Sequence, residues 1–318
     1  MRAAIVHSFG SSPTFGEFAE PCAEAGETVI DVLAAPLSPI VKSLAAGKHY
    51  TSNTSSGSAG FVPGVDGVGM NSTGERVYFI FPKSPFGSMA EKSLVASSAT
   101  VPVPDGIDDA RAAAVVTSGL SSWVALTRRA KFVRSEAVLI NGATGSAGSL
   151  AVQIASYLGA SRIIVTGRNA TKLAAFPKTV ETIRLDENVD ASLQRAFSGK
   201  IDVVLDYLWG EPATRVIAAA TDGRGSRSGE PAIRYVQLGS IAGETIPLSA
   251  HALRSSGLEI LGSGIGSLSI SELISGAGEL LAALPAGGFD TPVKTLPLTA
   301  IAEAWNDAAD DHRIVFRP

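Results

Sequence analysis

From residue 137 onward, apolar residues alternate between two patterns. Short unbroken blocks read as buried parallel strands, and the segments between them carry apolar residues at helical spacing. Ala137–Ile140 is the first such block, and Arg162–Thr166 is the second. Between them Leu150, Ala151, Ile154, Ala155 and Leu158 recur with the period of a helix, and Gly159 supplies its left-handed end. The alternation continues with a strand at Thr182–Leu185, a helix at Asp190–Phe197, a strand at Ile201–Leu205 and a helix at Pro212–Ala220. Tyr235–Leu238 and Leu258–Leu261 supply two more strands. Strand and helix in alternation predict an α/β fold with a doubly wound parallel sheet of Rossmann type.

The chain before residue 115 reads differently. Ala3–Val6, Thr28–Leu33, Glu75–Phe81, Ser88–Val95 and Thr100–Val103 are short strand candidates separated by Gly, Pro and Ser, as in an antiparallel β-rich domain. Thr51–Gly60 is a polar stretch that cannot pack a core and is expected to be a mobile loop. Asp108–Val116 and Ser118–Arg129 read as two helices leading into the parallel sheet. After it, Ser271–Leu284 and Leu298–Ala309 are helical, with strands expected at Thr291–Leu296 and Ile314–Phe316. These are too few to form a domain alone. The expected organisation is therefore a discontinuous first domain, 1–115 with 275–318, enclosing a nucleotide-binding domain at 116–274.

Composition narrows the classes. Of 318 residues, 45% are hydrophobic and 18% charged, enough apolar material for a substantial core. Net charge is −4, so no strongly basic face is expected and nucleic acid is not an expected partner. Cys22 is the only cysteine, which excludes an intramolecular disulfide framework. No apolar run reaches the length of a membrane span, and a soluble, cytoplasmic protein with no membrane partner is expected.

The chemistry concentrates after the first block of parallel strand, at Gly142-Ala143-Thr144-Gly145-Ser146-Ala147-Gly148. A pyrophosphate needs bare backbone at a helix N-terminus, where N–H groups and the helix dipole favour an anion. In the usual G-x-G-x-x-G fingerprint Ala143 takes the first position, with Gly145 and Gly148 in the other two, and Gly142 extends the motif. Backbone from Ala143 to Ala147 is therefore expected to meet the phosphates; a purely structural turn is the alternative. The next strand selects the nucleotide. NAD sites carry Asp or Glu about 20 residues after the glycines, but no acidic residue stands between Ala137 and Val180. Instead the strand ends in Gly167-Arg168-Asn169, with Lys172 a turn later. Arg168 and Lys172 suit a ribose 2′-phosphate, so NADP(H) is expected over NAD(H). At later strand ends, Leu238-Gly239-Ser240 is expected at the nicotinamide ribose and Ser263-Gly264 beside the nicotinamide. Thr117 is a candidate for phosphate or nicotinamide, with ordinary helix capping as the alternative. Trp123, Tyr207 and Trp209 are candidate lining residues, Trp123 equally a core residue.

Together these marks resemble the zinc-less, quinone oxidoreductase-like branch of the medium-chain dehydrogenases/reductases. The resemblance rests on MRAAIV at the start, Pro63-Gly64-Val65-Asp66-Gly67-Val68-Gly69, Gly87-Ser88-Met89-Ala90-Glu91, the glycine turn and Leu238-Gly239-Ser240. It implies a GroES-like β-rich catalytic domain, a Rossmann domain and a homodimer or homotetramer. Zinc-dependent relatives carry His-Glu where Val65 and Asp66 stand here, and His7, His49, His251 and His312 make no ligand spacing, so no bound metal is expected. Asp66 is expected to satisfy local backbone donors. Where the family often shows Asn-Pro-x-Asp, this chain has Ser38-Pro39-Ile40-Val41, and Tyr50 matches the family's cleft tyrosine. Leu185 stands where relatives place a Tyr near the adenosine phosphate. Tyr50 and, less directly, Ser38 are the candidate catalytic groups; a structural loop Tyr and a turn Ser are the alternatives. The implied function is hydride transfer from NADPH to a quinone or an α,β-unsaturated carbonyl, both small-molecule substrates. The alternatives are a non-catalytic NADPH-binding redox sensor and a zinc-independent alcohol or enoyl reductase.

Overall fold

The structure is a computed structural model that describes residues 1–52, 60–307 and 312–318. Most of the expected loop Thr51–Gly60, and the end of the expected helix Leu298–Ala309, lie outside the described residues. The chain forms two compact units, Met1–Leu120 with Ser269–Pro318, and Ser121–Leu268. The crossings fall inside one helix, Asp109–Val124, and just before another, Ile270–Gly287, rather than at residues 115 and 275.

The second unit is built on a six-stranded parallel sheet. Its spatial order is Val180–Arg184, Arg162–Gly167, Ala137–Asn141, Val203–Asp206, Ile233–Gln237, Leu258–Gly262. Parallel strands are covered on both faces, so apolar blocks without alternation are what such strands require. One face packs Leu139, Ile164, Val204 and Tyr235 with Leu193, Val216 and Ile217 from the helices Val189–Ser198 and Gly210–Thr221. The helix Ser146–Leu158 is closed by Gly159 in the left-handed conformation, as its position predicts.

The first unit contains a seven-stranded sheet, ordered Val293–Pro297, Arg313–Arg317, Glu27–Pro36, Asp66–Asn71, Arg76–Ile80, Thr100–Pro102, with Lys92–Ala96 pairing off the long strand Glu27–Pro36. It is antiparallel except for its outer pair, Val293–Pro297 with Arg313–Arg317. Strands from both ends of the sequence thus share one sheet and one core, in which Ile30, Phe79 and Met89 pack with Ile301 and Phe316.

Two expectations are corrected. The two helices read on either side of residue 117 are one helix, Asp109–Val124, running into a wider turn at Ala125–Arg129. Thr117 and Ser118 look like a break because such residues favour caps. Here their hydroxyls are engaged inside the first unit, Thr117 with Asp66 and Ser118 with Arg313, and the helix continues past them. A second helix, Pro39–Ala45, occupies the segment read only as a family motif.

A buried polar network ties the C-terminal ends of the parallel strands together. Asn141 and Thr166 are in register, as are Asn141 and Asp206, and all three are fully buried. Thr166 Oγ1 donates to Asn141 Oδ1 at 2.5 Å, Asn141 Nδ2 donates to Asp206 Oδ1 at 2.7 Å, and the Tyr235 hydroxyl donates to Asp206 Oδ2 at 2.8 Å. The backbone N–H groups of Leu208 and Trp209 also donate to the Asp206 carboxylate. Removing the carboxylate leaves these donors buried without acceptors. Asp206→Ala is therefore expected to lower stability by about 3–5 kcal/mol in urea denaturation. A loss below about 1 kcal/mol would show that the strand ends hold without it.

Candidate functional site

The glycine turn is shaped by close approach. Gly142 adopts φ +94°, and its N–H together with that of Ala143 donates to the Thr166 carbonyl, at 3.2 and 2.9 Å. Thr166 Oγ1 accepts from Gly142 as well, at 3.2 Å. Ala143 is fully buried, so its amide, expected at the phosphates, is committed to the neighbouring strand instead. The free donors of the turn begin at Thr144. A Cβ on Gly148 would stand 2.5 Å from the Gly142 carbonyl oxygen, so the helix Ser146–Leu158 can pack this closely on the turn only with glycine there. Gly145 sits at the N-cap position with nothing within 4 Å of where its Cβ would be. The turn thus leaves open backbone in front of a thirteen-residue helix whose first N–H groups have no helical partners. These features fit a dinucleotide pyrophosphate.

At the end of the adjacent strand, Gly167 leaves no room for a side chain, since a Cβ would meet Thr144 Cγ2 at 2.4 Å. Arg168 is exposed and makes no hydrogen bond or ion pair within the described residues. Asn169 caps the short helix Ala170–Ala174, its Oδ1 accepting from the Lys172 N–H at 3.0 Å, which orients the segment carrying Arg168 and Lys172. Leu185 donates its N–H to the Gly167 carbonyl at 2.8 Å, closing the same corner.

The remaining strand ends are equally tight. Leu238 and Gly239 both donate to the Asp206 carbonyl, at 2.7 and 3.2 Å, and a Cβ on Gly239 would stand 2.7 Å from the Tyr207 carbonyl oxygen. Ser240 is exposed. The Ser263 N–H donates to the Gln237 carbonyl at 3.0 Å, while the N–H of Gly264 is taken by Ser267 Oγ at 2.8 Å. Trp209 adopts φ +53°, costly for a bulky residue, and its ring packs 6.3 Å from that of Tyr235. Trp123 is buried, 6.2 Å ring to ring from Tyr157, as a core residue.

In the first unit the candidates stand apart in character. Tyr50 is 72% exposed, stacked on His49 at a ring distance of 4.2 Å. Burial draws the His49 imidazole below its usual range, and its Nδ1 lies 2.7 Å from Thr51 Oγ1. Ser38 is buried at the N-terminus of Pro39–Ala45, its Oγ without a protein partner. Asp66 does not serve backbone donors as expected. It is buried, and its Oδ2 accepts from the Tyr78 hydroxyl at 2.7 Å and from Thr117 Oγ1, leaving Oδ1 unmatched. The Thr117 hydroxyl proton is thus already committed. Among the described residues no three His, Cys, Asp or Glu side chains gather as a metal site, and no helix is long and apolar enough to cross a membrane.

The residues missed in the sequence are Asn141, Thr166 and Asp206. For these three a signal was present: each is the polar residue ending an otherwise apolar strand block, and the parallel register sets them side by side. Asp66 was named from the sequence, but its partners, which come from another strand and a helix, left no local mark.

Burial pushes the Asp66 carboxyl up to about 6, against the lowering pull of Thr117, Tyr78 and the Arg313 guanidinium. The folded state therefore holds a proton that the unfolded chain releases near pH 3.8. Stability contributed by this group is fully present below about pH 4 and is lost as pH rises to about 6, a change of about 3 kcal/mol. Asp66→Asn keeps an acceptor for both hydroxyls without the charge. It is expected to match the wild type near pH 4 and to exceed it above pH 6, read by urea denaturation across that range. Parallel curves would show that Asp66 does not titrate there.

No protein-family model matches the chain. It is similar over its whole length, and over the whole of the relative, to a probable NADPH-dependent quinone reductase of Emericella nidulans, at 27% identity. Over 142 residues, 43% of each chain, it is 32% identical to a quinone oxidoreductase of Pseudomonas aeruginosa. Among solved structures, the quinone oxidoreductase of Thermus thermophilus, determined alone and with NADPH, superposes with a TM-score of 0.79 at 26% identity and full coverage of both chains. The parallel sheet, the glycine turn and this end-to-end likeness agree: the relatives and solved structures that the chain resembles are quinone oxidoreductases.

Proposed function

We propose that this chain is an NADPH-dependent oxidoreductase that delivers hydride to a quinone or an α,β-unsaturated carbonyl without a metal. The coenzyme is NADP(H), in keeping with the NADPH-dependent relative and the NADPH-bound neighbour. The observation that carries the reading lies at the end of Arg162–Gly167. An exposed guanidinium with no protein partner, Arg168, stands where a ribose-binding carboxylate would favour NAD.

Thr144–Ala147 offers backbone N–H groups to the pyrophosphate, and Gly145 and Gly148 keep that approach open. Arg168 holds the 2′-phosphate by charge-assisted hydrogen bonds, with Lys172 adding positive charge. Bound NADPH supplies the hydride. A quinone or conjugated carbonyl accepts it readily, because conjugation carries the electrons to oxygen. The chain's task is then to orient the acceptor, donate hydrogen bonds to that oxygen and deliver a proton. Tyr50 is assigned as the donor, since a phenol with an ordinary pKa of about 10 keeps its proton at neutral pH. The Ser38 hydroxyl, buried and unmatched within the protein, is assigned as a second hydrogen-bonding group.

Arg168→Gln is expected to weaken NADPH binding roughly 10- to 100-fold while leaving NADH binding unchanged, measured by fluorescence titration. Equal loss for both coenzymes would remove Arg168 from the 2′-phosphate. Turnover is tested by following NADPH absorbance with quinones, enones, enals, aldehydes and an enoyl thioester. Tight NADPH binding with no turnover on any of them would favour a sensor over an enzyme. On an active acceptor, Tyr50→Phe is expected to lower kcat about tenfold or more with unchanged NADPH affinity; an unchanged kcat would exclude Tyr50 from proton delivery.

A further inference from the structure

Two buried side chains at one corner of the first unit keep polar atoms that the described residues leave unmatched. Asp66 and Ser38 are each 4% exposed, and neither Asp66 Oδ1 nor Ser38 Oγ has a hydrogen-bond partner among the described residues. Such atoms cost the fold free energy unless a further partner takes them up.

The strands Glu27–Pro36 and Asp66–Asn71 run antiparallel with Ala34 opposite Val68. Asp66 therefore begins one strand where the other ends, two residues before Ser38. Arg313 ties this corner together. Its Nη1 donates to the Leu37 carbonyl at 3.1 Å and its Nε to Ser118 Oγ at 3.2 Å, while the neighbouring Thr117 hydroxyl donates to Asp66. All of these residues belong to the first unit. Ser38 stands at the N-cap of Pro39–Ala45, where a serine hydroxyl ordinarily accepts from the first turn of the helix. Here it makes no capping bond, so its burial does not serve the helix.

The bonds on Asp66 decide where its proton sits. Oδ2 accepts from the Tyr78 hydroxyl at 2.7 Å and from the Thr117 hydroxyl. Burial and the charge of Asp66 hold the Tyr78 phenol well above its usual range, so it remains a donor. With Oδ2 filled by two donors, the acid proton of neutral Asp66 falls on Oδ1, the oxygen without a partner. Burial raises this carboxyl to about 6, against the Thr117 hydroxyl, the Tyr78 hydroxyl and the Arg313 guanidinium. An acid in that range is suited to giving up a proton near neutrality. Once the proton has left, the same two hydroxyls and the guanidinium stabilise the carboxylate.

We propose that Asp66 Oδ1–H is the source of the proton in the reduction, and that Ser38 Oγ, reached through one bridging water, is its outlet to the acceptor oxygen. The water is required because the two atoms are not hydrogen-bonded to each other. This rests on the function proposed above and names the acid behind the Ser38 hydroxyl, which alone is too weak to be the final proton source. The coenzyme's hydride adds to the conjugated acceptor, and the displaced electron pair moves to oxygen. That oxygen takes the Ser38 hydroxyl proton, Ser38 takes one from the water, and the water takes one from Asp66. The acceptor gains one hydride and one proton, and solvent later restores the proton of the Asp66 carboxylate.

The test is the pH dependence of kcat/KM for a quinone or an enone at saturating NADPH. In the wild type it is expected to fall about tenfold per pH unit above about pH 6, because the protonated form is the donor. Asp66→Asn is expected to be flat there, about tenfold or more below the wild type near pH 5 and equal to it near pH 8, with unchanged NADPH affinity. Ser38→Ala is expected to lose a similar factor near pH 5, and the double variant no more than either alone, as for residues acting as one unit. In the free protein, a neutral carboxyl band in the infrared is expected to disappear near pH 6 in the wild type and to have no counterpart in Asp66→Asn. Wild-type kcat/KM in Asp66→Asn near pH 5 would overturn the proposal and leave delivery to Tyr50. So would a decline above pH 6 that persists in that variant. If the wild type binds NADPH but reduces no acceptor, the reading as a reductase falls instead, so the two failures are distinguishable.

Discussion

A single buried carboxylate holds the working edge of the second unit. Asp206 ends an apolar strand, is fully buried, and sits above the usual carboxylate range because of that burial. It is stable there because donors converge on it from Asn141, Tyr235, Leu208 and Trp209. Buried charge is tolerated only when hydrogen bonds replace the lost water. Each donor belongs to a different part of the site: Asn141 precedes the glycine turn, Tyr235 belongs to the next strand, and Leu208 and Trp209 lead into a helix. The position of the turn is therefore set by polar contacts as well as by apolar packing.

The parallel sheet was legible because apolar blocks, glycine and helical spacing all act locally. Ala137–Asn141, Arg162–Gly167 and the helix between them follow the reading within a residue or two, as far as such boundaries are meaningful. Where side chains bond across sequence distance, local reading failed. Thr117 and Ser118 resembled a helix break because their hydroxyls favour caps, yet Asp66 and Arg313 engage them from far along the chain. Ala143 resembled a phosphate contact by its place in the motif, but its amide is claimed by Thr166 on the neighbouring strand. A motif specifies which positions lack side chains; only the register decides which amides remain free. Arg168 could be singled out from sequence because charge and position are read locally, and the structure leaves it exposed.

The two units treat buried acids in different ways. Asp206 has both oxygens engaged, whereas Asp66 has one oxygen matched by two hydroxyls and the other unmatched. Desolvation is the largest influence on both and raises both carboxyls, with hydrogen bonds opposing it in each case. Asp66 is folded into a pair of hydroxyls, from Tyr78 and Thr117.

The left-handed backbone of Trp209 has a wider implication. A bulky residue held at φ +53° stores conformational energy that persists only while its amide is gripped by the carboxylate beneath it. Tyr207 and Leu208 lie between the grip and the strained residue, like links of a tensioned clasp. Loosening Asp206 would release the backbone N–H groups of Leu208 and Trp209 and let that segment relax.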